Sequence, residues 1–252
     1  MDLHLHGRSA LVVGASKSLG RAIALRLAHE GCAVAAVARS GDLLNSLKLE
    51  LDTLGTGHAV FAADLLADHG PQHFAKQLLD TWRGPDIVVH NLGGSHGVTD
   101  TLASSADYRH VWQLNVGVPV ELNRVFIPLM EQSGWGRVVH ISSVSAENFS
   151  GYSAYVAAKG SLNAYVKTLS RSVAKKNVVV SAVCPGPLFA EGRYLAKLQQ
   201  QNGPEWHRFC EHHLSVGRLA DPNEIAPFVA LLCSPLASYA VGTIMNIDGG
   251  SR

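Results

Sequence analysis

Short runs rich in Val, Ala and Ile alternate along the chain with longer segments in which apolar residues recur at helical spacing. That alternation is the pattern of a parallel sheet covered by helices on both faces. Strands are predicted near Ser9–Val13, Ala33–Ala38, His58–Ala62, Ile87–His90, Arg137–Ile141, Val178–Val183 and Thr243–Ile247. Between them the periodicity predicts helices near Leu19–Glu30, Asp42–Leu54, Gly70–Trp82, Ala106–Met130, Ser153–Lys175 and Asn223–Leu232. Each is long enough for the right-handed crossover that parallel strands require. The expected fold is therefore α/β: a single-domain, doubly wound Rossmann fold over residues 1–252, with a seven-stranded parallel sheet. The alternation fails only at Pro185 to Gly217, a segment containing Trp206, His207, Phe209, His212 and His213. An excursion of that size in a compact domain reads as a lid or binding element.

Composition narrows the function classes. Of 252 residues, 47% are apolar and 16% charged, which excludes disorder. Twenty-one basic against twenty acidic residues leave no global field to draw nucleic acid or an anionic membrane. The apolar stretch from Ile225 to Cys233, interrupted by Pro227, falls well short of a bilayer span, and Met1 to Arg8 lacks the layout of a secretory signal. A cytoplasmic protein with a small-molecule partner is the expectation. Cys32, Cys184, Cys210 and Cys233 lie far apart, so neither a disulfide framework nor a zinc knuckle is expected. His4, His6 and the His212-His213 pair lack a carboxylate or cysteine at ligand spacing, and no metal site is expected.

Chemistry enters at the first strand-to-helix turn, Gly14-Ala-Ser-Lys-Ser-Leu-Gly20. Glycine in such a turn lets backbone approach a pyrophosphate, and the helix start points N–H groups at negative charge. Gly14, Ser16, Lys17, Ser18, Leu19 and Gly20 are thus candidate cofactor-binding residues. The segment resembles the TGxxxGxG motif of the short-chain dehydrogenase/reductase family, and the resemblance runs over essentially the whole chain. Val13 stands where the family usually has Thr, and Ser18 replaces its middle glycine. The turn is expected to survive the serine if its φ is negative.

The second strand ends Val37-Ala38-Arg39-Ser40, without the acidic residue that accepts a ribose 2′-OH in NAD-specific folds. Arg39 offers a planar cation suited to phosphate, and Lys17 supplies a second charge. In the family, basic residues at these two positions mark members that prefer NADP, and NADP(H) is the expected cofactor. The resemblance further implies that Asp64 and Leu65 meet the adenine, that Asn91 and Gly93 make room for the dinucleotide, and that Pro185, Gly186 and Leu188 flank the nicotinamide. Ala190 stands where the family commonly has Thr.

Reducing a ketone requires a proton donor at the forming alkoxide, and an ordinary tyrosine cycles its proton poorly near neutrality. A nearby lysine favours phenolate. Tyr155-Val-Ala-Ala-Lys159 places the two groups one helical turn apart. Upstream, Val138-Val-His-Ile-Ser-Ser143 delivers two hydroxyls to a strand end, where one can hold developing charge on oxygen. By motif Ser143 is the catalytic serine. By spacing Ser142 remains open, because the family's serine lies about thirteen residues before the tyrosine and Ser143 lies twelve. The resemblance adds Asn115, which in the family holds a water linking the lysine to bulk solvent. It also implies a 3-oxoacyl-(acyl-carrier-protein) reductase-like activity in a homotetramer. A sugar, polyol or secondary-metabolite oxidoreductase, and a non-catalytic cofactor-binding member, stay open as alternatives. His96, Trp206, His207 and Phe209 are candidates for the substrate cleft.

Overall fold

The computed structural model describes residues 1–192 and 194–251. Seven strands form one parallel sheet in the order β3-β2-β1-β4-β5-β6-β7, where β1 is Ser9–Val13, β2 Ala33–Ala38, β3 Ala59–Ala62, β4 Ile87–His90, β5 Gly136–Ile141, β6 Val178–Pro185 and β7 Ile244–Ile247. Order reverses between β1 and β4, which opens a crevice at the carboxyl ends of those strands. All five residues of β1 and all eight of β6 are buried, as expected for strands covered on both faces. Side chains alternate between two cores: Ala10 and Val12 face one, Leu11 and Val13 the other.

Helices α1 (Ser18–His29), α2 (Gly41–Asp52) and α3 (Gly70–Thr81) follow the first three strands. Ile23 and Leu27 are fully buried on the inner face of α1, each contributing about 2 kcal/mol of apolar burial. After β4, α4 (Ser105–Trp112) starts at a capping box between Ser104 and Asp107. The periodicity predicted one helix over Ala106–Met130, but α4 and α5 (Val118–Ser133) are joined by a π turn, Gln113–Gly117. Two residues account for it. Asn115 turns its side-chain amide back onto the Val111 carbonyl at 2.8 Å, and Pro119 has no N–H to give the Asn115 carbonyl its α-type bond. A short α6 (Ser145–Asn148) and the long α7 (Ser153–Val173) follow β5.

The segment after β6 contains two helices that sequence periodicity did not define, α8 (Tyr194–Gln201) and α9 (Pro204–His213), before α10 (Pro222–Cys233) returns to the sheet. They have a core of their own, in which Leu198, Trp206, Leu214 and Leu219 are buried against Phe189 and Phe209. A parallel bridge between Leu188 and Ala220 closes the base of this excursion. No helix among the described residues is long and apolar enough to cross a membrane.

Arg137 on β5 is almost fully buried, with no carboxylate partner among the described residues. Carbonyls of Ser234, Gly136 and Asn177 accept its N–H groups at 2.8 to 3.2 Å, and its guanidinium lies 4.4 Å from the Trp135 ring centroid. Burial lowers its pKa to about 10.

Candidate active site

A cleft of about 1490 Å³ opens at the carboxyl ends of the strands and runs from the β2 end to the excursion after β6. Its first wall is the Gly14–Gly20 turn. Gly14 has φ +78°, and a Cβ there would stand 3.1 Å from the Leu92 nitrogen. Gly20 does not line the cleft; a Cβ on it would fall 2.1 Å from the Gly14 carbonyl oxygen, so the residue is a packing requirement of the turn. Ser16, Lys17, Ser18 and Leu19 do line the cleft. The condition set for Ser18 is not met: the turn forms, but with Ser18 at φ +47°, in the left-handed region that glycine adopts without strain.

At the β2 end, Arg39 and Lys17 are exposed in the cleft, and neither forms an ion pair among the described residues. Nearby Arg21, by contrast, is committed to Glu50 at 2.7 Å and to Ser46 at 3.0 Å. Asp64 and Leu65 after β3, and Asn91 and Gly93 after β4, continue the lining. Asn91 ties the turns together, donating from Nδ2 to the Gly14 carbonyl at 3.0 Å. Pro185, Gly186 and Leu188 form the opposite side; a Cβ on Gly186 would meet the Asp248 carbonyl oxygen at 2.6 Å.

The reacting groups converge in the middle of the cleft. Lys159, only 3% exposed, donates from Nζ to the Ile141 carbonyl at 2.8 Å and lies 5.7 Å from the Tyr155 ring centroid. Asn115 sits behind this wall. Its Oδ1 accepts from Gly94 N–H at 3.1 Å and its Nδ2 donates to Gly94 O at 2.9 Å, which pins the Gly93-Gly94 turn. A Cβ on Gly93 would stand 2.7 Å from Asn115 Oδ1 and 3.0 Å from Lys159 Nζ. Ser143 and Ser142 both line the cleft with Tyr155; Ser143 Oγ accepts from Ser145 N–H at 3.1 Å, whereas the Ser142 hydroxyl is buried with no hydrogen-bond partner among the described residues.

Burial raises the Tyr155 pKa above the ordinary phenol value, with the Ser143 hydroxyl pulling the other way. Burial likewise lowers Lys159 to about 8. The direction at Tyr155 is thus set by burial and runs opposite to the lowering expected from a nearby lysine.

The excursion contributes Phe189, Ala190, Glu191 and Gly192 to the cleft. Trp206, His207 and Phe209 do not line it: Trp206 is buried in the excursion's own core with Phe209 against it, and His207 faces outward. Their aromatic content marked packing between α8 and α9. His96 does line the cleft, and its partner His110, fourteen residues away on α4, had no signal in sequence. Also missed was a buried layer beneath Lys159. His90 and His140, register partners on β4 and β5, stack with centroids 4.7 Å apart and meet Asn123, which also donates to Tyr165. Among the described residues, no group of three or more metal-ligating side chains is assembled.

Comparison with known proteins agrees with this architecture. A family model described as "Enoyl-(Acyl carrier protein) reductase" matches residues 14–252. The chain is 29% identical to the 3-oxoacyl-(acyl-carrier-protein) reductase of Aquifex aeolicus over 252 residues, covering 99% of both chains. L-sorbose reductase from Gluconobacter frateurii, solved with NADPH and L-sorbose, superimposes with a TM-score of 0.91 at 29% identity, over 99% of this chain and 98% of that one. A 7α-hydroxysteroid dehydrogenase solved with NADH and 7-oxo glycochenodeoxycholic acid gives 0.88 at 28%, over 99% and 96%. With the match extending from the first glycine turn to the last residue, the chain belongs to the short-chain dehydrogenase/reductase family of nicotinamide-dependent oxidoreductases.

Proposed function

We propose that the protein is an NADP(H)-dependent oxidoreductase interconverting a small-molecule carbonyl and its secondary alcohol, of the 3-oxoacyl reductase type. The observation that carries this reading is the convergence of Ser143, Tyr155 and Lys159 on one cleft whose far end holds two uncommitted cations. The close backbone approaches at Gly14 and Gly186 leave a cradle that added Cβ atoms would fill, as a flat dinucleotide requires. Arg39 and Lys17 would hold the 2′-phosphate, Asp64 and Leu65 the adenine, and Lys159 the nicotinamide ribose.

The bound nicotinamide supplies or accepts the hydride. This chain's residues handle the proton and the charge on oxygen. Because burial keeps the Tyr155 phenol protonated at neutral pH, it is poised to donate to an oxygen gaining negative charge. Ser143 would orient that oxygen with its hydroxyl. Lys159, an ammonium below about pH 8, stabilises the phenolate left behind. Asn115 fixes the Gly93-Gly94 turn against which the lysine packs. A sugar or polyol substrate is the second reading, favoured by the structural likeness to a sorbose reductase and by the polar Ser95, His96 and Glu191 in the substrate end of the cleft. We take the working unit to be a cytoplasmic homotetramer of a single-domain chain.

The test is kinetic. Tyr155→Phe should lose about 10²- to 10⁴-fold in kcat toward any substrate the wild type reduces, with NADPH binding kept. Arg39→Asp should weaken NADPH about 10- to 100-fold and leave NADH binding little changed. Retained turnover in the first variant, or equal effects on both cofactors in the second, would refute the assignment.

A further inference from the structure

The charge in the cleft is unevenly spread. Lys17, Arg21 and Arg39 lie at the β1–β2 end and Lys159 at the reacting centre. Beyond Tyr155, the side chain among the described lining residues that can become a cation is His96, in the loop after β4. That loop is held on the same wall as the tyrosine: Val98, two residues on, and Tyr108 of α4 pack with Tyr155 against Val111, Ala154 and Ala158.

His96 is held with φ +51°, a left-handed conformation that costs a non-glycine residue about 1 kcal/mol or more. What it gains there is a contact with His110, whose Nε2 stands 2.7 Å from His96 Nδ1, the ring centroids 4.5 Å apart. At that separation a proton lies between the two rings. If His110 donates, His96 accepts at Nδ1 and must carry its own proton on Nε2, where it makes no hydrogen bond among the described residues. A second proton, taken up at His110 Nδ1, spreads positive charge over both rings.

His110 lies in the last turn of α4, and Asp107 lies one turn earlier on the same helix. The other charged groups on the elements around the pair are Arg109 on α4, which donates to Ser105 at 3.3 Å, Asp100 in the preceding loop, Glu191 across the cleft, and Lys159.

We propose that the His96–His110 pair is a proton-linked recognition element for an anionic substrate group of the carboxylate class, carried away from the reacting carbonyl. The proposal rests on the oxidoreductase reading above and names the substrate class of that same site. His96 would donate from Nε2 to the anion, with His110 behind it as the proton store, so that binding strengthens as the pair becomes charged.

The experiment follows the imidazole nitrogens of the full chain by NMR across pH 5 to 9, in the presence of NADPH and with either 5-oxohexanoate or its methyl ester. The acid should move the midpoint of the pair's titration up by about one pH unit, equivalent to about tenfold tighter binding by the charged form. The ester should leave it in place, and His110→Gln should abolish the acid's effect. A midpoint that the acid leaves unmoved, or that acid and ester move equally, overturns the proposal whether or not the protein turns over either compound. With NADPH oxidation as the readout, the ratio of kcat/KM for acid over ester should be about tenfold larger at pH 6 than at pH 8 and flat with pH in His96→Gln. A protein that binds the acid in this way yet reduces neither compound would fail the carbonyl-reductase reading for this class of keto compound and leave the recognition element standing.

Discussion

The two stacked histidines beneath Lys159 make the stability of this protein depend on pH in a calculable way. His90 is 2% exposed and His140 fully buried, and each has an Nδ1 atom without a partner. Burial lowers His90 from 6.5 to about 4 and holds His140 well below the ordinary imidazole value, with His90 and Lys159 adding repulsion in the second case. A histidine depressed in the folded state binds its proton first in the unfolded chain. Stability is therefore full above about pH 6.5 and is lost as pH falls toward 4. For His90 the fall from 6.5 to about 4 is worth about 3 kcal/mol over the whole window and about 2 kcal/mol at pH 5. His140 adds to this, so at pH 5 the pair removes a large part of a stability of the usual 5–15 kcal/mol. Denaturant unfolding at pH 7.5, 6 and 5 gives the slope, which should approach two protons taken up per chain on unfolding between pH 6 and 5. His140→Phe keeps a flat ring on the stack and removes one titrating group and one unpaired nitrogen. Near pH 7.5 the variant should differ from wild type by about 1 kcal/mol or less, since the contact it loses is a 3.4 Å one to Asn123. At pH 5 the variant should be the more stable of the two. Parallel curves for the two proteins over pH 5 to 7.5 would refute the reasoning.

Three further outcomes follow from the same geometry. Ser18→Gly relieves a left-handed serine at about 1–2 kcal/mol against a glycine entropy cost of about 0.5–1 kcal/mol, so thermal unfolding should shift up by about 1–3 °C and NADPH binding should tighten. Gly93→Ala drives a methyl group against Asn115 and Lys159; kcat should fall about 10- to 100-fold while the NADPH dissociation constant changes less, measured by steady-state kinetics and fluorescence titration. The exposed apolar residues Phe228, Leu236 and Tyr239, close in sequence to β7, should be covered by other copies of the chain, giving a light-scattering mass of four chains.

Sequence by itself determined the seven strands, their order of appearance and the helices α1, α2, α3, α7 and α10, because period-two and helical spacing are local properties set by which face of each element must leave water. It also placed Tyr155 and Lys159 one helical turn apart and put Ser142 and Ser143 at a strand end, because those positions follow from local geometry. Tertiary structure decided what depends on partners far apart in the chain. The left-handed φ of Ser18 and the packing of Gly20 beneath the Gly14 carbonyl are features of the folded turn. Trp206 and Phe209 pack α8 and α9 together instead of lining the cleft. Pairing of His90 with His140 needed the β4–β5 register, and pairing of His96 with His110 needed the loop after β4 to fold back onto α4. The direction of the Tyr155 pKa was decided by depth of burial, which residue spacing does not encode.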